Sequence, residues 1–135
     1  MKRYLYQSCL LLICALWSIS PGMATSAASA QTMLEVSAPE AKTLMDTVPG
    51  LVIIDVSPAF RKGHLPGAVN YPLGDGTLEN TLPSLDRAKP YLVYCHNDTA
   101  AITGAQKLID AGFPKVYRLK GNFQGWVDAG FTVEK

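Results

Sequence analysis

Tyr91-Leu92-Val93-Tyr94-Cys95-His96-Asn97-Asp98-Thr99-Ala100 is the stretch on which the fold turns. Its first four residues are apolar or aromatic without alternation, so they read as a strand buried on both faces, the pattern of a parallel sheet. A polar loop follows. From Thr99 the period changes: Ile102, Ala105, Leu108 and Ile109 recur at helical spacing, which predicts a helix burying that face. Gly112, ahead of Phe113-Pro114, supplies its stop. A buried strand leading through a loop into a helix is one half of a βαβ unit.

Working outward, Leu51-Val52-Ile53-Ile54-Asp55-Val56 is a second strand of this kind, with Asp55 near its C-terminal end, and Val116-Tyr117-Arg118-Leu119 is a shorter third. Ser37 stands three residues before Glu40 with Pro39 between them, a capping pattern that starts a helix over about 39–47. Pro49-Gly50 breaks it. Gly121 to Ala129 reads as a short terminal helix carrying Trp126. Between Val69 and Lys89 the pattern is less regular: Val69-Asn70-Tyr71 reads as a short strand, Gly74-Asp75-Gly76 as a turn, and Leu78, Leu82 and Leu85 as irregular helix. Strands alternating with helices and lacking hairpin turns imply an α/β fold, a parallel sheet covered on both faces.

At the N-terminus, Lys2 and Arg3 precede an uncharged, mostly apolar run from Leu5 to Ile19, then Pro21-Gly22 and small residues ending in Ala28-Ser29-Ala30. This is the order of a secretory signal peptide cleaved before Gln31. An uncleaved anchor is the competing reading, although the run is short for a bilayer. The expected organisation is a signal peptide over 1–30, a polar lead-in over 31–36 and one domain over 37–135, exported to the periplasm or secreted, with no stable membrane insertion after cleavage. Removing Lys2 and Arg3 from the twelve basic residues leaves ten against eleven acidic ones, so the mature chain has no basic excess for nucleic acid. Cys9 and Cys14 leave with the signal segment, and Cys95 remains without an internal disulfide partner.

In a parallel α/β sheet, ligands bind outside the carboxyl ends of the strands, which is where the Cys95 to Ala100 loop falls. Backbone N–H groups of such a loop and of the following helix N-terminus converge on an anion and favour thiolate over thiol. The competing reading is a buried apolar cysteine.

Three further landmarks bear on that choice. They are Asp55-Val56, the hexapeptide Gly63-His64-Leu65-Pro66-Gly67-Ala68 leading into Val69-Asn70, and Leu119-Lys120-Gly121 followed by Trp126 and Gly130. With the Tyr94-Cys95 loop, their order and spacing resemble the rhodanese domain over about 37–133. The resemblance implies a five-stranded parallel sheet with helices on both faces and a sulfurtransferase that carries sulfane sulfur as a persulfide on Cys95. It implies no metal or organic cofactor. The thiolate takes sulfur from a donor such as thiosulfate and passes it to cyanide or a thiol acceptor, including a protein thiol, by covalent nucleophilic catalysis. Backbone N–H groups from His96, Asn97, Asp98, Thr99, Ala100 and Ala101 would stabilise the thiolate and the persulfide.

The sequence departs from that family in its loop. Many active members place a glycine three residues after the cysteine and a basic residue two later, where this chain has Asp98 and Ala100. Asp98 is expected to bring a like charge towards both thiolate and anionic donor, which puts thiosulfate use in doubt. An arginine common after the Asp-Val pair is also missing, with Arg61 a candidate to replace it in space. Gly121-Asn122 stands for a Gly-Gly pair, a modest change because Asn tolerates left-handed backbone. His96 reads either as an imidazolium that holds an anion or as a solvated loop residue. His64 reads as a hydrogen-bonded residue tying its loop to the sheet, and Asp55 as a structural carboxylate near the pocket. Two separated histidines and one cysteine make no zinc site. The rhodanese-fold phosphatases need an arginine at the end of a longer cysteine loop, and none follows Cys95 before Arg118. The alternative function is a catalytically inactive rhodanese-fold binding module.

Overall fold

A computed structural model describes residues 31–135; the expected targeting segment, the expected cleavage before Gln31 and the alternative anchor all fall outside the described residues. Five strands, β1 (Leu34–Val36), β2 (Val52–Asp55), β3 (Val69–Asn70), β4 (Tyr91–Tyr94) and β5 (Val116–Leu119), form one sheet in the order β1-β5-β4-β2-β3. Every neighbouring pair is parallel. The apolar runs of β2 and β4 occupy the centre, where both faces of a strand are covered. Asp55 pairs with Tyr94 and with Asn70 in register, so the carboxyl ends of β2, β3 and β4 lie along one edge.

Helices α1 (Ala38–Thr47) and α4 (Asn122–Asp128) cover one face, where Ala38, Ala41, Ile53, Leu92, Tyr94, Leu119 and Trp126 pack together. The other face is covered by α2 (Thr77–Thr81), a 3-10 turn over Leu82–Ser84, and α3 (Asp98–Asp110). Here Ile54, Val56, Val93, Cys95, Leu78, Ala101, Ala105 and Leu108 form a second layer. Helices therefore lie on both faces of the parallel sheet, as the sequence implied.

The α1 capping box is complete: the Ser37 N–H donates to the Glu40 carboxylate at 2.7 Å, and the Glu40 N–H donates back to Ser37 Oγ at 3.4 Å. At the end of α3, Gly112 takes φ +90° and its N–H reaches the Ile109 carbonyl, while the Phe113 N–H reaches that of Leu108. This pair of bonds satisfies carbonyls that the helix end would leave orphaned.

Two expectations need correction. The polar lead-in contains β1, whose three residues are too few to show a period; pairing with β5 imposes its extended form, Glu35 lying opposite Arg118. Ile102 is 44% exposed rather than buried. The face that α3 buries is Ala101, Gly104, Ala105, Leu108 and Ile109, and Ile102 falls one position, about 100°, away from it. Among the described residues no helix is long and apolar enough to cross a membrane.

Candidate active site around Cys95

Because β4 lies between β2 and β5, Cys95 emerges at the middle of the sheet's carboxyl edge. The start of α4 holds both of its backbone groups. The Cys95 N–H donates to Asn122 Oδ1 at 3.3 Å, and the Cys95 carbonyl accepts the Phe123 N–H at 3.0 Å. Asn122 is the one non-glycine residue with positive φ among the described residues, at +55°. This is a conformation that asparagine adopts more readily than most side chains. The Gly121-Asn122 departure is therefore more than tolerated backbone, since a second glycine would offer no carboxamide to the cysteine. Cys95 itself is 1% exposed and belongs to the α3-side core beside Val56 and Ala101.

The loop's donors divide into two groups. Asn97 caps α3: its Oδ1 accepts the Ala100 N–H at 2.9 Å and its carbonyl accepts the Ala101 N–H at 3.3 Å. Two of the six N–H groups expected to face the sulfur are thus committed to the cap. Those of His96, Asn97, Asp98 and Thr99 make no hydrogen bond among the described residues. Such unpartnered amides at a helix start are suited to negative charge.

Asp98, expected to bring a like charge towards the thiolate, has two partners in space. Its Oδ1 accepts from Asn122 Nδ2 at 2.6 Å and from Arg118 Nη1 at 3.0 Å. Arg118, only 5% exposed, also donates from Nε to Glu35 Oε1 at 3.1 Å, with a second, shorter bond from Nη2. The guanidinium that reaches this loop is therefore Arg118; Arg61 lies exposed on a 3-10 turn, Phe60–Lys62, with no ion pair to the loop. Sequence reasoning missed Arg118 as a site residue. The available signal was a charged residue inside an otherwise apolar strand.

Asp55 is fully buried. Its Oδ1 accepts the Ser57 N–H at 2.8 Å, while Oδ2 and His96 Nε2 are both buried, without hydrogen-bond partners, and 3.7 Å apart. The His96 ring stacks on Phe123 with centroids 4.4 Å apart, so the imidazole is packed rather than freely solvated. Beside Asp55, the Tyr94 phenol accepts the Leu65 N–H at 3.0 Å. Burial pushes its pKa far up, and the neighbouring Asp55 charge adds to this, so it stays neutral.

His64 stands apart from the cysteine loop. It stacks on Phe60, its Nδ1 donates to the Phe60 carbonyl at 3.1 Å, and its backbone pairs with Glu134 in both directions at 2.9 Å. That geometry ties the Gly-His loop to the C-terminal segment. Cavities of about 610 Å³ beside Met45, Val48 and Pro66, and about 360 Å³ beside Pro58, Asn70 and Asp75, are not lined by Cys95.

The comparisons agree with this architecture. The rhodanese-like domain model matches residues 37–129. The chain is similar to a protein named thiosulfate sulfurtransferase GlpE from Actinobacillus pleuropneumoniae serotype 7, at 27% identity over 77% of this chain and 95% of the relative. The Shewanella oneidensis protein of the same name is 34% identical over 53% of this chain and 68% of its own. Among solved structures, the rhodanese-like domain of the Anabaena protein Alr3790 superposes with a TM-score of 0.68 at 26% identity, covering 76% of this chain and 80% of that one. Family match, sheet order and the strand-to-helix cysteine loop coincide, and the chain belongs to the rhodanese-like domain family.

Proposed function

We propose that this protein is an exported sulfurtransferase or sulfur carrier that moves sulfane sulfur through a persulfide on Cys95. The observation that carries the reading is the placement of Cys95 at the centre of the carboxyl edge, clamped through its N–H and carbonyl, beside four unpartnered backbone N–H groups. Sulfurtransferase names among the relatives support the same class. Export to the periplasm or outside the cell rests on the N-terminal sequence pattern.

In the first half-reaction the Cys95 thiolate attacks the outer sulfur of the donor. A bond from Sγ to that sulfur forms, and the donor's S–S bond breaks with its electron pair leaving on the departing group, which is sulfite when the donor is thiosulfate. In the second, cyanide or an acceptor thiolate attacks the outer sulfur, and Cys95 leaves as thiolate. The N–H groups of His96, Asn97, Asp98 and Thr99 are the loop's available partners for the negative charge at both stages. No cofactor is needed.

The test is intact mass after the reduced protein meets thiosulfate or a polysulfide. A gain of one sulfur atom that disappears in Cys95→Ser is expected; no gain with a demonstrably free thiol overturns the reading. A second reading, a rhodanese-fold module that binds a partner without catalysis, is favoured by the 1% exposure of Cys95. It predicts sluggish alkylation of the native thiol and no sulfur uptake.

A further inference from the structure

Asp98 and Asn122 are 24 positions apart, both depart from glycines common in this family, and they are bonded to each other at 2.6 Å. Asp98 in turn captures Arg118, the one lysine or arginine side chain hydrogen-bonded to the Cys95 loop among the described residues. Glu35 takes the other side of the same guanidinium. One buried cation therefore faces two carboxylates, so the group of three carries a net formal negative charge, and Asp98 brings it to the loop that follows Cys95. The Asp98 side chain is 68% exposed, so that charge is presented at the loop's surface rather than hidden beneath it.

Resting on the sulfurtransferase reading above, the geometry points to Asp98 as a specificity-determining residue that selects hydropersulfide donors, R–S–S–H, over thiosulfate. Thiosulfate must bring two negative charges to the loop and release sulfite with two, and an unpaired cation beside the backbone N–H groups would favour both. Arg118 is not available for that role. A hydropersulfide brings at most one negative charge on its sulfurs, and its leaving thiolate carries one where sulfite carries two, so the repulsion it meets is smaller. The Cys95 thiolate attacks its outer sulfur, the Sγ–S bond forms, the R–S bond breaks, and R–S⁻ leaves with the electron pair and takes a proton from water. The proton on the transferred sulfur stays with it. Asn122 links specificity to position, because one end of its carboxamide holds Asp98 and the other holds the Cys95 N–H.

The experiment compares initial rates of sulfur loading on Cys95, read by intact mass, with thiosulfate and with two hydropersulfide probes. Cysteine hydropersulfide represents a small donor, and a persulfidated cysteine peptide represents a protein donor. The wild type is expected to load from at least one hydropersulfide about tenfold or more faster than from thiosulfate. Asp98→Asn keeps a side-chain carbonyl for Arg118 and removes the charge; it should narrow that ratio about tenfold. Adding Glu35→Gln should narrow it further. In the wild type, added salt should raise the thiosulfate rate by screening repulsion. If the network only holds the loop in place, the variants slow all donors together and the ratio stays flat, which overturns the proposal while leaving sulfur transfer intact. Equal wild-type rates with all donors do the same. Failure of every donor to load Cys95 overturns the sulfurtransferase reading and this inference with it.

Discussion

Replacing Asn122 by glycine and, separately, by alanine divides what this residue does into two parts. Both substitutions remove the carboxamide, leaving the N–H of Cys95, a residue 1% exposed, without its acceptor. An unsatisfied buried donor costs about 1–3 kcal/mol. The lost bond to Asp98 adds less, on the order of 0.5 kcal/mol, because that carboxylate keeps Arg118 and is largely solvated. Glycine takes the +55° φ without strain, whereas alanine resists it by about 1–2 kcal/mol. The expected losses are therefore about 2–3 kcal/mol for Asn122→Gly and roughly 1 kcal/mol more for Asn122→Ala. For a domain of about a hundred residues, each kcal/mol lowers Tm by roughly 4 °C. Urea denaturation followed by circular dichroism reads both values. Alkylation of native Cys95 should accelerate in both variants, since its loop loses a clamp. An Asn122→Gly protein within about 0.5 kcal/mol of wild type, the scatter of a neutral surface change, would refute the claim that the carboxamide holds the cysteine. Equal stabilities for the two variants would remove the argument from left-handed backbone.

Three further outcomes are expected. Gly63→Ala places a Cβ 2.8 Å from Cζ of Phe123 at a φ of +155°, so it should destabilise by about 1–3 kcal/mol and disturb the ring on which His96 stacks; a wild-type urea midpoint would contradict this. Tyr94→Phe strands the fully buried Leu65 N–H and should cost about 1–3 kcal/mol, with an unchanged midpoint speaking against the role of the phenol. Hydrogen bonds from Ser37 hold the Glu40 carboxyl below its ordinary value of 4.5. A depressed folded-state pKa stabilises above the unfolded value and loses that contribution as pH falls through the folded one. The small stability margin of wild type over Glu40→Gln should accordingly be present at neutral pH and vanish in acid, and a margin independent of pH would exclude the capping carboxylate as its source.

Local patterns carried much of the architecture. The unbroken apolar runs of β2 and β4 could be read as central strands because burial on both faces leaves no alternation, and the loop of Cys95 followed from the change of period after Tyr94. Capping was also local, since Ser37 and Glu40 are three residues apart. β1 was not legible. Three residues show no period, and their strand form comes from an edge pairing with β5. Ile102 misled because one face of a helix can be drawn through several nearby sets of apolar residues, and only packing against β4 and β5 selects the buried one.

By itself the sequence determined that this is an alternating α/β domain with a thiol, Cys95, at a strand-to-helix loop, because periodicity and caps are written in neighbouring residues. The surroundings of that thiol were decided by tertiary structure. Glu35 and Arg118 are 83 positions apart, and Asp98 and Asn122 are 24 apart. They meet because the sheet order puts β1 beside β5 and β5 beside β4, bringing the loop after β4 against the start of α4. A carboxylate that in sequence stands next to the sulfur with no partner is, in space, bound to a buried guanidinium, since hydrogen bonds and ion pairs act through distance and not through position along the chain.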